Sequence, residues 1–304
     1  MKKKLITISG QTASGKTNLS IRLAQNLNCS IISCDSRQFY KEMSIGTAVP
    51  SKLELSKANH YFIHHKSVKD NYTVGDFQND ALKLIENLFK KDDYIILTGG
   101  SGMYMDAIVN GIDKFPKIKL GVRELLNEKH NSRGILFLKN KLKELDPEYY
   151  DIVDVNNHRR LIRALEVCIS TGKPYSSFLN KKNKKYDFES VNFGIKVDRE
   201  LLYKKINYRV DKMISDGLIK EAKTLLNFKD LNPLNTVGYK ELFEHFKGNL
   251  TKSQAIEKIK QNTRRYAKRQ MTWLKNKNLV WIENNVEIDE IKRFINSNNL
   301  EHFY

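Results

Sequence analysis

Residues 10–17 read GQTASGKT, a complete G-x-x-x-x-G-K-[ST] pattern, and no other stretch constrains the fold of this chain as tightly. Before it, Lys4-Leu5-Ile6-Thr7-Ile8-Ser9 is a short β-rich run. After it, Asn18 to Leu27 sets Leu19, Leu23, Ala24 and Leu27 at helical spacing. Strand, glycine-rich turn and helix form the setting in which this pattern cradles phosphate; a chance glycine-rich turn has no reason to be so flanked. The main-chain N–H groups of Gly10, Gln11, Thr12, Ala13, Ser14 and Gly15 are expected to point inward. The helix start adds partial positive charge, and Lys16 reaches a terminal phosphate. Thr17 offers a hydroxyl to a Mg²⁺ that bridges phosphate oxygens. The chain therefore handles a di- or triphosphate, but the loop alone does not say which bond breaks.

Two further strands follow in the same style. Ser30-Ile31-Ile32-Ser33-Cys34 leads into Asp35-Ser36-Arg37-Gln38, and Tyr94-Ile95-Ile96-Leu97-Thr98 leads into Gly99-Gly100-Ser101-Gly102, with a helical pattern over Phe77–Phe89 between them. Such alternation predicts a parallel sheet with ligands at the carboxyl ends of its strands. The expected class is α/β: a P-loop NTPase-like parallel-sheet core with an inserted helical domain. The lysine-rich helical stretch 114–191 is read as the insertion, and 1–113 with 192–304 as the core. Within the insertion, the polar run Asn180–Lys185 reads as an exposed loop. A late strand is expected at Leu279–Glu283.

With 304 residues, 40% of them hydrophobic, the chain can bury a large core. Cys29, Cys34 and Cys168 form no C-x-x-C pair, and the seven histidines have no ligand spacing with them. A disulfide framework or structural zinc is therefore not expected, which fits a reducing cytosol. No apolar run approaches the length of a membrane span, and the apolar stretch after Met1-Lys2-Lys3-Lys4 is too short for a signal peptide.

Charge points to a partner. Lys+Arg of 53 against Asp+Glu of 35 leaves +18, which suits a polyanion, nucleic acid first. The surplus is also placed. At about 100° per residue, Leu161, Ile162, Leu165 and Ile169 share one side of a helix over 157–171, with Arg159, Arg160 and Arg163 opposite. Asn157 offers a cap and Gly172 a stop. A second helix opens on the capping box Thr251-x-x-Gln254 and runs to Lys277. Ile256, Ile259, Tyr266, Ala267 and Leu274 line one face, and Lys258, Lys260, Arg264, Arg265, Lys268 and Arg269 the other. Glu257 is the sole acid from 257 to 277. A solvated face normally mixes signs, so self-repulsion of this kind favours contact with nucleic acid. Tyr266 and Trp273 read as core residues first and as base-stacking groups second.

The strand ending at Thr98-Gly99-Gly100 carries no terminal carboxylate of the kind that organises Mg²⁺ in many ATPases. Asp35 instead ends the preceding strand. It suits a general base on an acceptor, and it suits equally a turn or cap residue.

Taken in order, these segments resemble the bacterial tRNA dimethylallyltransferases. The matching stretches are 10–17, 35–40, 45–48, 99–104, 159–167 with 171–174, 198–217, 237–240 and 263–273. The resemblance implies transfer of a dimethylallyl group from dimethylallyl diphosphate to N6 of the adenosine 3′ to the anticodon, in tRNAs reading codons that begin with U. It implies a tunnel in which a flipped base meets the diphosphate, and a cytoplasmic, monomeric enzyme using Mg²⁺. By carry-over Asp35 is the base, Ser101 contacts the reacting groups, and Lys16, Thr17 and Arg209 hold the diphosphate. The anticodon stem-loop is expected to meet Asp35, Ser36, Arg37, Gln38, Ser101, Arg123, Arg159, Arg160, Leu161, Ile162, Arg163, Val237, Gly238, Tyr239, Lys240, Lys268, Arg269, Gln270, Thr272, Trp273 and Lys275. Departures stand at Ser44, where the family has Asp, at Val49, where it has Lys, and over 58–63. A small-molecule P-loop kinase, a transferase acting on free adenine nucleotides and a non-catalytic RNA-binding protein are the alternatives. The first has no need of the basic helix 258–277, the second lacks the tRNA-binding insertion, and the third has no reason to place Asp35 beside a phosphate loop.

Overall fold

The computed structural model describes residues 2–179 and 186–296; the whole run Asn180–Lys185, expected to be an exposed loop, and everything after 296 lie outside them. The chain divides into two compact units, residues 1–109 with 186–304, and residues 110–185.

The first unit is built on a six-stranded, all-parallel sheet with order β3-β2-β4-β1-β5-β6. The strands are β1 (Lys3–Gly10), β2 (Ser30–Ser33), β3 (His60–Tyr61), β4 (Tyr94–Gly99), β5 (Phe188–Lys196) and β6 (Val280–Glu283). β1 lies at the centre, paired with β4 on one side and β5 on the other. Its residues from Leu5 to Gly10 are all buried, as expected of a parallel strand covered on both faces. Successive side chains divide between two cores. Leu5, Ile32, Ile95 and Leu97 join one cluster, and Ile6, Ile8, Ile31 and Ile96 join the other. Helix α1 (Lys16–Leu27) covers the second cluster together with α12 (Ile288–Asn296).

Between the strands run α2 (Lys52–Leu55), α3 (Val74–Leu88) and α4 (Gly102–Val109). After β5 come α8 (Arg199–Ser215), α9 (Leu218–Thr224), α10 (Tyr239–Phe246) and α11 (Lys252–Lys275). Thr251 caps α11 as expected, its hydroxyl accepting from the Gln254 N–H while Gln254 accepts from the Thr251 N–H. α3 starts earlier than the apolar spacing indicates, because Thr73 and Asp76 form a capping box before Phe77. β3 has no alternating pattern to reveal it, since two residues are too few to show one.

The second unit is helical: α5 (Val122–Leu145), α6 (Pro147–Ile152) and α7 (His158–Thr171). α5 is two helices joined at Gly134, whose φ of 69° a side chain would oppose. The cap and stop of α7 are those expected: Asn157 accepts from the Arg160 N–H, and Gly172 is left-handed. Its buried face differs. Leu161, Ile162, Ala164 and Leu165 join Leu126, Leu138 and Leu142 in the core, whereas Ile169 is 37% exposed. The units meet at 109/110 and 185/186, where the sequence reading drew 114 and 191. Residues 188–191 are the first part of β5, where Glu189 and Ser190 interrupt the apolar run.

Candidate active site

The carboxyl ends of β1, β2 and β4 border a cavity of about 850 Å³ in the first unit. One wall is the phosphate loop. Gly10 sits where a side chain would come within 2.7 Å of Ser14 Oγ, and Ala13 and Gly15 take left-handed φ of 62° and 95°. Within this backbone the Ser14 N–H turns back to the Gln11 carbonyl at 3.2 Å. Lys16 Nζ donates to the carbonyls of Gly10 (2.9 Å) and Gln11 (2.6 Å). Burial pulls its pKa down from 10.5 to about 8; Asp35 opposes that and Arg209 adds to it. From α8, Arg209 Nη1 donates to Thr12 Oγ1 at 3.3 Å, so guanidinium and loop share one wall.

Asp35 is brought in by glycine. β4 separates β2 from β1, and a side chain at Gly99 would strike Cys34 Sγ at 2.6 Å and the Asp35 nitrogen at 2.8 Å. A side chain at Gly100 would meet Gln270 Nε2 at 2.5 Å. The bare end of β4 thus lets Asp35 and Gln270 close over it, which gives the missing carboxylate a structural reason. Asp35 Oδ1 also accepts from the Arg37 N–H at 3.1 Å. The turn role and the cavity-lining role therefore coexist in one side chain.

The expected residues separate by placement. Thr12 to Thr17, Asp35 to Gln38, Arg209, Val237, Gly238, Lys240, Arg269 and Gln270 line the cavity. Ser101 does not line it. Its hydroxyl accepts from the Ser36 N–H and bonds Ser36 Oγ, both at 3.1 Å, so it fixes the turn that carries Asp35. Gln270 Oε1 accepts from the Thr12 N–H (2.8 Å) and its Nε2 donates to the Gly100 carbonyl (2.9 Å), bracketing two loops from α11. Gln11 Nε2 donates to the Ala267 carbonyl and completes that bracket. Tyr239 is fully buried, and Leu161 and Ile162 belong to the core of the second unit; all three support their neighbours from beneath the surface. Trp273 packs where a side chain on Gly102 would overlap its ring, and Lys268, Thr272 and Lys275 are exposed along α11. Ser44, the departure from the family Asp, places its hydroxyl 3.4 Å from His64 Nε2.

The basic face of α11 is less uniform than its sequence suggests. Lys260 pairs with Asp211 of α8 at 2.8 Å and with Glu257, and Arg264 donates to Asn207 Oδ1 at 2.6 Å. Asp211 and Asn207 come from a neighbouring helix, which the helix's own sequence cannot show. In the second unit Glu166, only 4% exposed in its side chain, accepts from Arg123 Nε (2.7 Å) and Nη2 (2.6 Å) and from Arg163 Nη1 (3.4 Å). Arg163 also lies over the Phe115 ring. Arg159 and Arg160 are exposed. Sequence reasoning missed Glu166, as well as Lys205, Glu54 and Thr263 on the cavity wall. Lys205 was visible, one helical turn before Arg209; Glu166 gave no signal among apolar neighbours.

Among the described residues no group of three or more His, Cys, Asp or Glu gathers as a metal site. Thr17 and Asp35 on one cavity wall nonetheless fit a Mg²⁺ that takes most of its ligands from a diphosphate and water. No helix among the described residues is long and apolar enough to cross a membrane.

Known proteins agree with this arrangement. A family model described as IPP transferase matches residues 38–277. The tRNA dimethylallyltransferase of Flavobacterium johnsoniae is 52% identical over 97% of this chain and 98% of its own length. That of Bacteroides thetaiotaomicron is 43% identical over 98% and 97%. The full-length tRNA isopentenylpyrophosphate transferase of Bacillus halodurans superposes with a TM-score of 0.72 at 38% identity, covering 97% of this chain and 96% of that one. A eukaryotic dimethylallyltransferase solved acting on tRNA gives 0.79 at 27% identity, over 93% and 74%. With sequence and fold in agreement over most of its length, this chain belongs to the IPP transferase family.

Proposed function

We propose that the protein transfers a dimethylallyl group from dimethylallyl diphosphate to the exocyclic N6 of the adenosine immediately 3′ of the anticodon, in tRNAs reading codons that begin with U. The observation that carries this reading is Asp35 on the same cavity as Lys16, Thr17 and Arg209, at the bare glycine end of β4. A phosphate loop and a carboxylate bordering one cavity suit a diphosphate leaving group and a proton-donating acceptor held side by side.

The loop N–H groups, Lys16 and Arg209 hold the diphosphate and stabilise the charge that develops as the allylic C–O bond breaks. Mg²⁺, held by Thr17 and diphosphate oxygens, supplies further charge neutralisation when bound. The adenine amine is a poor nucleophile, because its lone pair is delocalised into the ring. As the N6–C bond forms, Asp35 takes the N6 proton, so positive charge does not accumulate on the base. An adenine in an anticodon loop reaches such a cavity only by leaving its stack. Val237, Gly238, Lys240, Tyr266 and Arg269 offer the wall for it. The exposed Arg159 and Arg160, with Arg123 and Arg163, are the phosphate-binding groups of the helical unit. The active species is a cytoplasmic monomer.

Titration calorimetry with Mg²⁺ tests the donor. Dimethylallyl diphosphate should bind to the wild-type protein and be displaced in the Lys16→Ala variant. ATP should lose no phosphate in the presence of tRNA. Stoichiometric phosphate release from ATP, with no allylic transfer, contradicts the reading and favours a kinase.

A further inference from the structure

Glu221 lies one turn into α9, outside the cavity lining, and its carboxylate is the most heavily bonded in the first unit. Three consecutive main-chain N–H groups converge on it: Ser44 (3.0 Å) and Ile45 (2.8 Å) donate to Oε2, and Gly46 (2.9 Å) donates to Oε1. The Tyr239 hydroxyl donates to Oε1 at 2.7 Å. Successive N–H groups in a turn form an anion nest, here filled by the protein's own carboxylate. Hydrogen bonds to a charged acceptor are the stronger kind.

The two partners of Glu221 each lead into a stretch of the cavity wall. The turn at 44–46 continues into Thr47 and Ala48, and Ala48 is held in a left-handed φ of 49°. Tyr239 opens α10, directly after Val237 and Gly238 and before Lys240. Gly46, Thr47, Ala48, Val237, Gly238 and Lys240 all border the cavity. The contact between the two segments is close, since a side chain on Gly46 would overlap the Tyr239 ring at 2.6 Å. Glycine at 46, tyrosine at 239 and glutamate at 221 are thus three parts of one joint. The phosphate loop takes no part in it. Its own braces come from Gln270, Gln11 and Arg209.

We propose that Glu221 is a positioning residue for the acceptor: its carboxylate sets the 44–48 turn against the 237–240 segment and so shapes the acceptor side of the cavity independently of the donor side. This rests on the reading above, in which those segments receive the tRNA base. The test compares Glu221→Gln, Glu221→Ala and Tyr239→Phe with the wild-type protein in steady-state transfer to tRNA. Donor affinity is measured separately by calorimetry, and thermal melts establish that each variant is folded at the assay temperature. Glu221→Ala should lower kcat/KM for tRNA by roughly tenfold or more. Glu221→Gln, which keeps one acceptor oxygen, should lose less, and Tyr239→Phe a few-fold. Donor affinity should stay within about twofold throughout. If Glu221→Ala does not fold, Tyr239→Phe, which deletes one hydroxyl, decides the matter alone. Wild-type tRNA kinetics in the folded variants overturn the proposal. A parallel loss of donor affinity also overturns it, because it marks Glu221 as general scaffold. Absence of transfer by the wild-type protein rejects the acceptor reading and this proposal with it, whereas wild-type transfer with unimpaired variants rejects the role of Glu221 alone.

Discussion

In the proposed reaction Asp35 and Lys16 divide the chemistry, and each carries a prediction of its own. Asn at 35 keeps the oxygen that accepts from the Arg37 N–H, so Asp35→Asn preserves the turn and removes only proton acceptance. Turnover should fall by about 10²- to 10⁴-fold with donor affinity retained. Normal turnover would reduce Asp35 to a turn residue. Lys16 predicts a pH dependence. Burial lowers its folded pKa from 10.5 to about 8, so keeping it charged costs stability at neutral pH, and that cost fades as pH rises toward the unfolded value. A diphosphate stabilises the ammonium and raises its pKa. Donor affinity should therefore be full below about 8 and weaken above it, by up to about tenfold per pH unit, with proton uptake on binding. Lys16→Arg stays charged and should flatten the profile. Calorimetry in buffers of different ionisation heat measures both, and a wild-type affinity unchanged across that range removes Lys16 from the phosphate site. Both residues were legible in the sequence, because loop spacing and strand ends are local. The joint between Ser36 and Ser101 was not, since it depends on glycine at 99 and 100 letting two strand ends approach.

Among the elements, α11 does the most to connect fold and site. Its cap, length and apolar stripe were readable, because a capping box and helical spacing are properties of neighbours in sequence. Its inward polar residue was not. Gln270 is buried at the helix–loop contact and satisfies the Thr12 N–H and the Gly100 carbonyl together. Gln270→Ala strands both main-chain groups and should cost about 1–3 kcal/mol in denaturant unfolding, together with a loss of donor affinity. An unchanged midpoint and affinity would show that the phosphate loop holds its shape without α11. The face opposite was misread as uncompensated, because Asp211 and Asn207 arrive from α8, a neighbour in space only. α7 shows the same limit. Its arginines are visible in sequence, while Glu166, which fastens Arg123 and Arg163, appears there only as one acid on a helix.

At the scale of the whole molecule, a chain of +18 with exposed arginines in its helical unit and along α11 is built for a polyanion. Phosphate contacts release counterions, so tRNA affinity should fall steeply with salt. Arg163→Ala and Arg269→Ala should each lower the log–log slope by about 0.7–0.9 and leave donor affinity unchanged. Filter binding at several salt concentrations reads this, and unchanged slopes would make these arginines an ordinary solvated surface. The alternation of strand and helix gave away the class of the core, and a lysine-rich helical stretch gave away the insertion. The start of β5 was not legible, because Glu189 and Ser190 interrupt its apolar run. The account stands or falls on where the dimethylallyl group goes. The wild-type protein, Mg²⁺, labelled dimethylallyl diphosphate and unmodified tRNA are incubated together, and the tRNA is digested to nucleosides. The predicted result is label on N6 of a single adenosine, the one 3′ of the anticodon, with one diphosphate released per label. Label absent from the tRNA, or spread over other nucleosides, would contradict it.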